Sequence, residues 1–243
     1  MSAIEFDKVL NHLERGEIKL EGKFVHGSNY TFLVKIHPDE GEPFFAVYKP
    51  VEGERLLWDF PDNTLAHREV AAYLVSEALG WQLIPPTIFR DNGPFGPGSV
   101  QLFIEHDPNF HYFNFSDDEL QKLRPVVLFD LLINNADRKG GHIIFGEDNY
   151  MWLIDHGVCF NMDEKLRTVV WNFAGELIPD NLFAPIEEFL IKLESPSEYR
   201  SDIEKHLSLE EITALIERTK ALMLFKEFPF PPKDRRAYPY PPV

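Results

Sequence analysis

Apolar positions along the first hundred residues fall into one helix-spaced run and several short alternating runs, and helical spacing dominates later. Ile4, Phe6, Val9, Leu10 and Leu13 mark one face of an opening helix, with Ser2 and Glu5 spaced as a capping box and Gly16 as its terminator. Strand-like runs follow at about 17–25, 30–36 and 44–49. In the third of these, PFFAVYKP, Phe45, Val47 and Lys49 alternate with Phe44, Ala46 and Tyr48. Residues 64–79 predict a helix between Thr64 as cap and Gly80 as terminator, with Ala72, Val75, Ala78 and Leu79 on its apolar face. Two further strands, 87–90 and 99–105, flank the Gly- and Pro-rich loop DNGPFGPG, which reads as a hairpin turn.

Beyond Glu105 the polar, aromatic segment HDPNFHYFNF reads as a linker. Ser116 with Glu119 forms a second capping box, and residues 125–134 predict a short apolar helix. The run NNADRKGGHIIFGEDNYMWLID then reads as a helix end, a polar loop, a hairpin turning at Gly146 to Asn149, and an apolar strand ending on Asp155. Apolar residues over 166–173 fall at helical spacing, and 183–193 and 208–225 predict amphipathic helices, the second opening on the capping box Ser208 and Glu211. The Pro- and Tyr-rich tail, 228–243, reads either as an extended strap or as a recognition peptide.

Composition narrows the functions this pattern serves. At 243 residues there is enough chain for a substantial core. The 24 Lys and Arg against 40 Asp and Glu leave a net charge of -16, which disfavours broad binding to nucleic acid or to anionic membrane. A phosphorylated ligand must therefore meet local cations or a metal. The single cysteine, Cys159, fits a reducing compartment. No basic segment followed by an apolar one opens the chain, and the strongest apolar run, 126–133, is short and interrupted by Asp130. The expectation is a soluble, cytoplasmic protein without integral membrane association.

Several residues carry chemistry. Asp137 and Asp155 fall at the mouths of adjacent strands, an arrangement in which one carboxylate orients a nucleophile and the other holds a magnesium ion. A strand ending in a lone charge beside a core, as MWLID does, is costly unless that charge is paired or metal-bound. Lys49 likewise ends an apolar strand, with Glu69 and Glu77 on the next helix as candidate partners. The bend 25–30, containing Ser28 and Asn29, has two readings, an ordinary hairpin or a cradle for phosphate oxygens. Arg138 and Lys139 read as solvated charges or as neutralisers of the aspartates, Lys139 having the stronger claim on phosphate. His142, heading the strand HIIF, reads equally as a structural histidine or a metal ligand.

Lys49 on a third strand, Glu69 on the following helix, the loop NADRKGGH and the strand end IDHG occur in the order used by the protein-kinase-like superfamily. The chain resembles its phosphatidylinositol 3/4-kinase branch, and in particular a bacterial family of short proteins similar to those kinases. The resemblance implies an α+β, bilobal fold: an N-lobe of antiparallel sheet plus helix over residues 1–105, and a mainly helical C-lobe over 106–243. It also implies ATP in the cleft, a magnesium ion, and transfer of the γ-phosphoryl group to an unidentified hydroxyl-bearing acceptor. Lys49, Glu69, Ser28, Asn29 and the backbone near Glu105 would hold the nucleotide. Asp137 would be the catalytic-loop aspartate, Lys139 would meet the γ-phosphate, and Asp155 would bind metal. His142 occupies the position where these kinases carry a metal-ligating asparagine, and imidazole suits manganese better than magnesium. That departure keeps open a catalytically weak nucleotide-binding regulator; a second alternative is a metal-dependent phosphohydrolase built on Asp137, His142, Asp155 and His156.

Overall fold

The computed structural model describes residues 3–24 and 29–243, with the side chains of residues 3–5 excepted. The Ser2–Glu5 cap and the bend residues His26, Gly27 and Ser28 lie outside the described residues.

The chain opens with α1 (Ala3–Arg15), followed by β1 (Glu17–Lys23), β2 (Phe32–His37) and β3 (Phe44–Pro50). Next come α2 (Leu65–Ala78), β4 (Thr87–Gly93) and β5 (Gly96–Leu102). The five strands form one antiparallel sheet in the order β1-β2-β3-β5-β4. The alternation in β3 divides its side chains as the sequence implies. Ala46 and Tyr48 join Leu13, Val34, Ile36 and Val100 in a small core between α1 and the sheet, while Val47 and Lys49 face the opposite side. Lys49 pairs in register with Ser99, and Pro50 with Gly98. A Cβ at Gly98 would run into the Lys49 carbonyl and the Pro50 backbone, so only glycine lets the strands approach this closely.

The β4–β5 hairpin differs from the expected loop. Both strands continue through the Gly- and Pro-rich segment, leaving Pro94 and Phe95 as the turn. The Tyr48 hydroxyl fixes that turn, donating to the Gly96 carbonyl at 2.7 Å and accepting from the Phe95 N–H at 3.2 Å. β5 ends at Leu102, so residues 103–105 belong to the linker.

After the linker come α3 (Asp117–Gln121) and α4 (Arg124–Ile133), the hairpin β6 (Ile143–Phe145) and β7 (Met151–Leu153), then α5 (Phe183–Glu194), α6 (Glu198–Ile203) and α7 (Leu209–Met223). The capping boxes expected at Ser116 and Ser208 are both present. Asn134 closes α4 in the left-handed conformation, φ 51°. A second, larger core joins α4, α5 and α7. Ala71, Ala72 and Val75 of α2 and its C-cap Leu79 belong to it, and α2 also lies against β4 and β5. The helix is therefore buried on most sides, and its polar residues Arg68, Glu69 and Ser76 go inside with the rest. Among the described residues, no helix is long and apolar enough to cross a membrane.

Residues 166–173 are not helical. Leu166, Val169, Val170 and Phe173 are buried at the expected spacing, but the run of β-branched Thr168, Val169 and Val170 disfavours a helix. Its backbone instead pairs with the polar loop: the Arg138 N–H donates to the Arg167 carbonyl at 3.0 Å, and the Val169 N–H to the Arg138 carbonyl at 3.1 Å.

Candidate active site

Lys49 is the point at which the sheet, α2 and the C-terminal half meet. Its ammonium is bonded to the Glu69 carboxylate and lies 2.9 Å from Asp155 Oδ1. Two carboxylates outweigh burial and hold the lysine firmly protonated. Lys49 in turn keeps Asp155 well below the usual carboxylate range. Glu69 is pushed up by burial, against Lys49. Its second oxygen accepts the His156 N–H at 2.9 Å, so one α2 side chain positions both the strand lysine and the backbone beside Asp155. Glu77, the other candidate partner, does not reach Lys49; its Oε1 is buried with no partner among the described residues.

Asp155 itself has φ 62°, the left-handed region that costs a non-glycine residue about 1–3 kcal/mol. β7 ends at Leu153, and this turn carries the carboxylate out of the hairpin toward the cleft. His142 Nε2 lies 3.3 Å from Asp155 Oδ2, while its Nδ1 accepts a long, 3.4 Å contact from the Lys139 N–H. That pairing assigns the proton to Nε2. Burial pushes the imidazole down to about 4, so it is neutral at pH 7.

Asp137 and Lys139 stand beside Asp155 on the same wall, Lys139 Nζ lying 3.3 Å from Asp137 Oδ2. The Asp137 N–H donates to Asn135 Oδ1 at 3.0 Å. Burial raises the Asp137 carboxyl, opposed by Lys139, which is the direction that strengthens it as a base.

These groups line a cleft of ≈ 360 Å³, within the range of small-molecule sites. Val47, Ile104, Ile144 and Ile154 contribute apolar lining, and Lys49, Asp137, Lys139, His142 and Asp155 the charged and titratable groups. Asn29 also lines the cleft, its Oδ1 accepting the Arg55 N–H at 2.7 Å. Ser28 lies outside the described residues. Glu105 borders an adjoining depression with Asp107 and Glu147, whereas its neighbours Ile104 and His106 line the cleft.

Sequence reasoning missed the residue that organises this loop. Arg138, read as a solvated charge or as a neutraliser of Asp137 and Asp155, is fully buried and pairs with Asp130 instead. Its guanidinium bonds both oxygens of Asp130 on α4 and donates to the carbonyls of His142 at 3.3 Å and Ile154 at 3.1 Å. It also meets His156 Nε2 at 2.7 Å. The signal was Asp130, a lone carboxylate inside an apolar helix, which required a buried cation.

His156 thus faces inward, away from Asp155, and among the described residues no three His, Cys, Asp or Glu side chains converge on one ion. The convergence a phosphohydrolase of Asp137, His142, Asp155 and His156 requires is not formed. A divalent ion shared with phosphate oxygens and water needs only one or two protein carboxylates, and the half-exposed Asp155, 52% exposed, fits that demand.

No family model matches the chain. Protein Rv2133c of Mycobacterium tuberculosis is 37% identical over 264 residues, covering 94% of this chain and 93% of that protein. Phosphatidylinositol 4-kinase gamma 4 of Arabidopsis thaliana is 27% identical over 173 residues, covering 54% of this chain and 31% of that protein. Among solved structures, the Golgi casein kinase with Mn/ADP bound superposes with a TM-score of 0.54 at 16% identity, over 92% of this chain and 75% of that one. The chain belongs to the same family as Protein Rv2133c, and its fold is kinase-like.

Proposed function

We propose that the protein is an ATP-dependent phosphotransferase that moves the γ-phosphoryl group to an acceptor hydroxyl. The observation that carries this reading is Lys49, bound at once to Glu69 and Asp155 in a cleft whose other groups include Asp137 and Lys139. In this reading residues 1–105 and 106–243 form the two lobes. The nucleotide base packs against Val47, Ile104 and Ile154, and its α- and β-phosphates take the ammonium of Lys49, which Glu69 keeps in place. Ser28 and Asn29 sit on the phosphate side, and the backbone next to Glu105 meets the base. Lys139 balances charge on the γ-phosphate, and Asp137 orients the acceptor hydroxyl and accepts its proton. Magnesium or manganese, when bound, neutralises phosphate charge. Asp155 is the group to hold that ion, and His142 orients the Asp155 carboxylate through Oδ2.

The acceptor is a hydroxyl of a lipid, a metabolite or a protein side chain. The test is ADP formation from ATP in the presence of pooled lipid, metabolite and protein fractions. Asp137→Asn should lower turnover by about 10²–10⁴-fold with ATP affinity unchanged, the range for general acid–base groups. Turnover by the variant equal to wild type would remove Asp137 from the mechanism.

A further inference from the structure

The Pro-rich tail ends against the catalytic loop. From Arg235, paired with Glu164, it runs beside the 167–169 segment, where the Ala237 carbonyl accepts the Thr168 N–H at 3.1 Å. Ala237 and Pro239 are buried, while Tyr238 and Tyr240 between and beyond them are exposed, as in an extended strand laid on a surface. The Pro242 carbonyl then accepts the Gly140 N–H at 2.8 Å. Gly140 opens the short 3-10 turn Gly140–His142, so its N–H is one of the donors a helix start leaves unpaired.

The loop is gripped from its other side as well. A Cβ at Gly140 would come within 2.9 Å of the Phe113 ring, so this glycine is packed against the linker aromatics with no space to spare. Arg138, two residues earlier, is bonded by backbone to residues 167 and 169, which flank the residue Ala237 holds. Asp137 and Lys139 therefore lie in a three-residue span whose neighbours are fixed by α4, by the 167–169 segment and by the tail. None of the tail residues lines the nucleotide cleft.

We infer that residues 237–242 are a clasp that positions the catalytic loop, holding the 167–169 segment through Ala237 and Gly140 through Pro242 so that Asp137 and Lys139 stay at the cleft. Its catalytic consequence rests on the phosphotransferase reading; the clasp itself does not. A tail that merely filled surface would add stability and leave the loop's dynamics alone. A tail that blocked an acceptor would slow turnover while present.

The test uses the full chain with Ala237→Arg and, independently, Pro239→Asp, each of which puts a charged side chain where the tail is buried, with Ala237→Gly as the conservative control. Amide hydrogen exchange over residues 137–142 should accelerate by on the order of tenfold in both charged variants, the loss expected for one backbone hydrogen bond. The control should match wild type. ATP binding should stay within about twofold while kcat falls by about 10²-fold, the cost of a misplaced catalytic group. Unchanged exchange in folded variants would overturn the clasp, and so would a rise in kcat, which marks a blocking tail. Accelerated exchange in a protein whose wild type turns over no ATP would support the clasp and overturn the phosphotransferase reading instead.

Discussion

Arg138 shows how the 137–142 loop is held by a buried residue that does not itself line the cleft. Its buried guanidinium ties α4, the His142 and Ile154 carbonyls and His156 into one unit, and Asp137 and Lys139 stand on either side of it in the chain. Removing one partner of a buried pair leaves an uncompensated charge. Arg138→Ala should therefore cost about 3–5 kcal/mol in urea unfolding. Pairing it with Asp130→Leu should recover a large part of that loss, since the stranded carboxylate goes too. A single variant within about 1 kcal/mol of wild type, the usual worth of an exposed pair, would show that the bridge contributes no more than a surface one. The sequence displayed Asp130 and Arg138 eight positions apart, but nothing local shows that a loop arginine turns back beneath its helix. Lys49 and Glu69 were easier to see, because an ammonium at the end of a strand with an apolar face on either side has few places to find a counter-charge.

At the scale of elements, α2 joins what the sheet and the helical core would otherwise leave apart. Arg68 is bonded to Glu211 of α7 and donates to the Cys159 carbonyl at 2.6 Å, and Glu69 holds Lys49 on β3. His67 stacks on Phe89 of β4 and faces His206 just past α6, the two Nδ1 atoms 3.1 Å apart. One imidazole donates and the other accepts, so protonating both breaks the contact. Burial lowers His67 and takes His206 down to about 4; Asp91 and Asp202 oppose this, and Lys205 adds to it at His206. The unfolded chain binds these protons near pH 6.5 and the folded one does so only at lower pH. The stability at stake is thus complete above about pH 6.5 and is lost as pH falls toward 4. His206→Gln should flatten the fall in urea-measured stability between pH 6.5 and 4.5, by up to about 1.4 kcal/mol per pH unit. Parallel curves for the variant and wild type would contradict the assignment.

This element scale is also where the sequence was least legible. The apolar face assigned to α2 is buried, but so are most of its other sides, because it is packed between two cores. Residues 166–173 have helical spacing and still bond their backbone to the polar loop after α4. The short α6 escaped notice for want of length, since six residues carry little periodicity. By contrast α4, α5, α7 and the β6–β7 hairpin could be read, each from apolar spacing or turn chemistry held within its own span.

At the scale of the whole molecule, an acidic chain concentrates Lys49 and Lys139 in a cleft that also holds Asp137 and Asp155. That opposition of charges marks the site more clearly than any one residue. Position in space is what the sequence withheld: it ordered the groups correctly along the chain, while the distances among Lys49, Glu69 and Asp155 depend on how the sheet closes on the C-terminal half.

The most direct test of the account is a thermal melt of wild type and Asp155→Ala with ATP and magnesium, then with ATP and manganese. ATP at about 100 times its dissociation constant adds roughly 2.7 kcal/mol to the native state. For a chain of this length that corresponds to a rise in Tm of about 5–11 °C. Wild type should show such a rise, dependent on the metal and absent in the variant. No rise with either metal, or an equal rise in Asp155→Ala, would contradict the account.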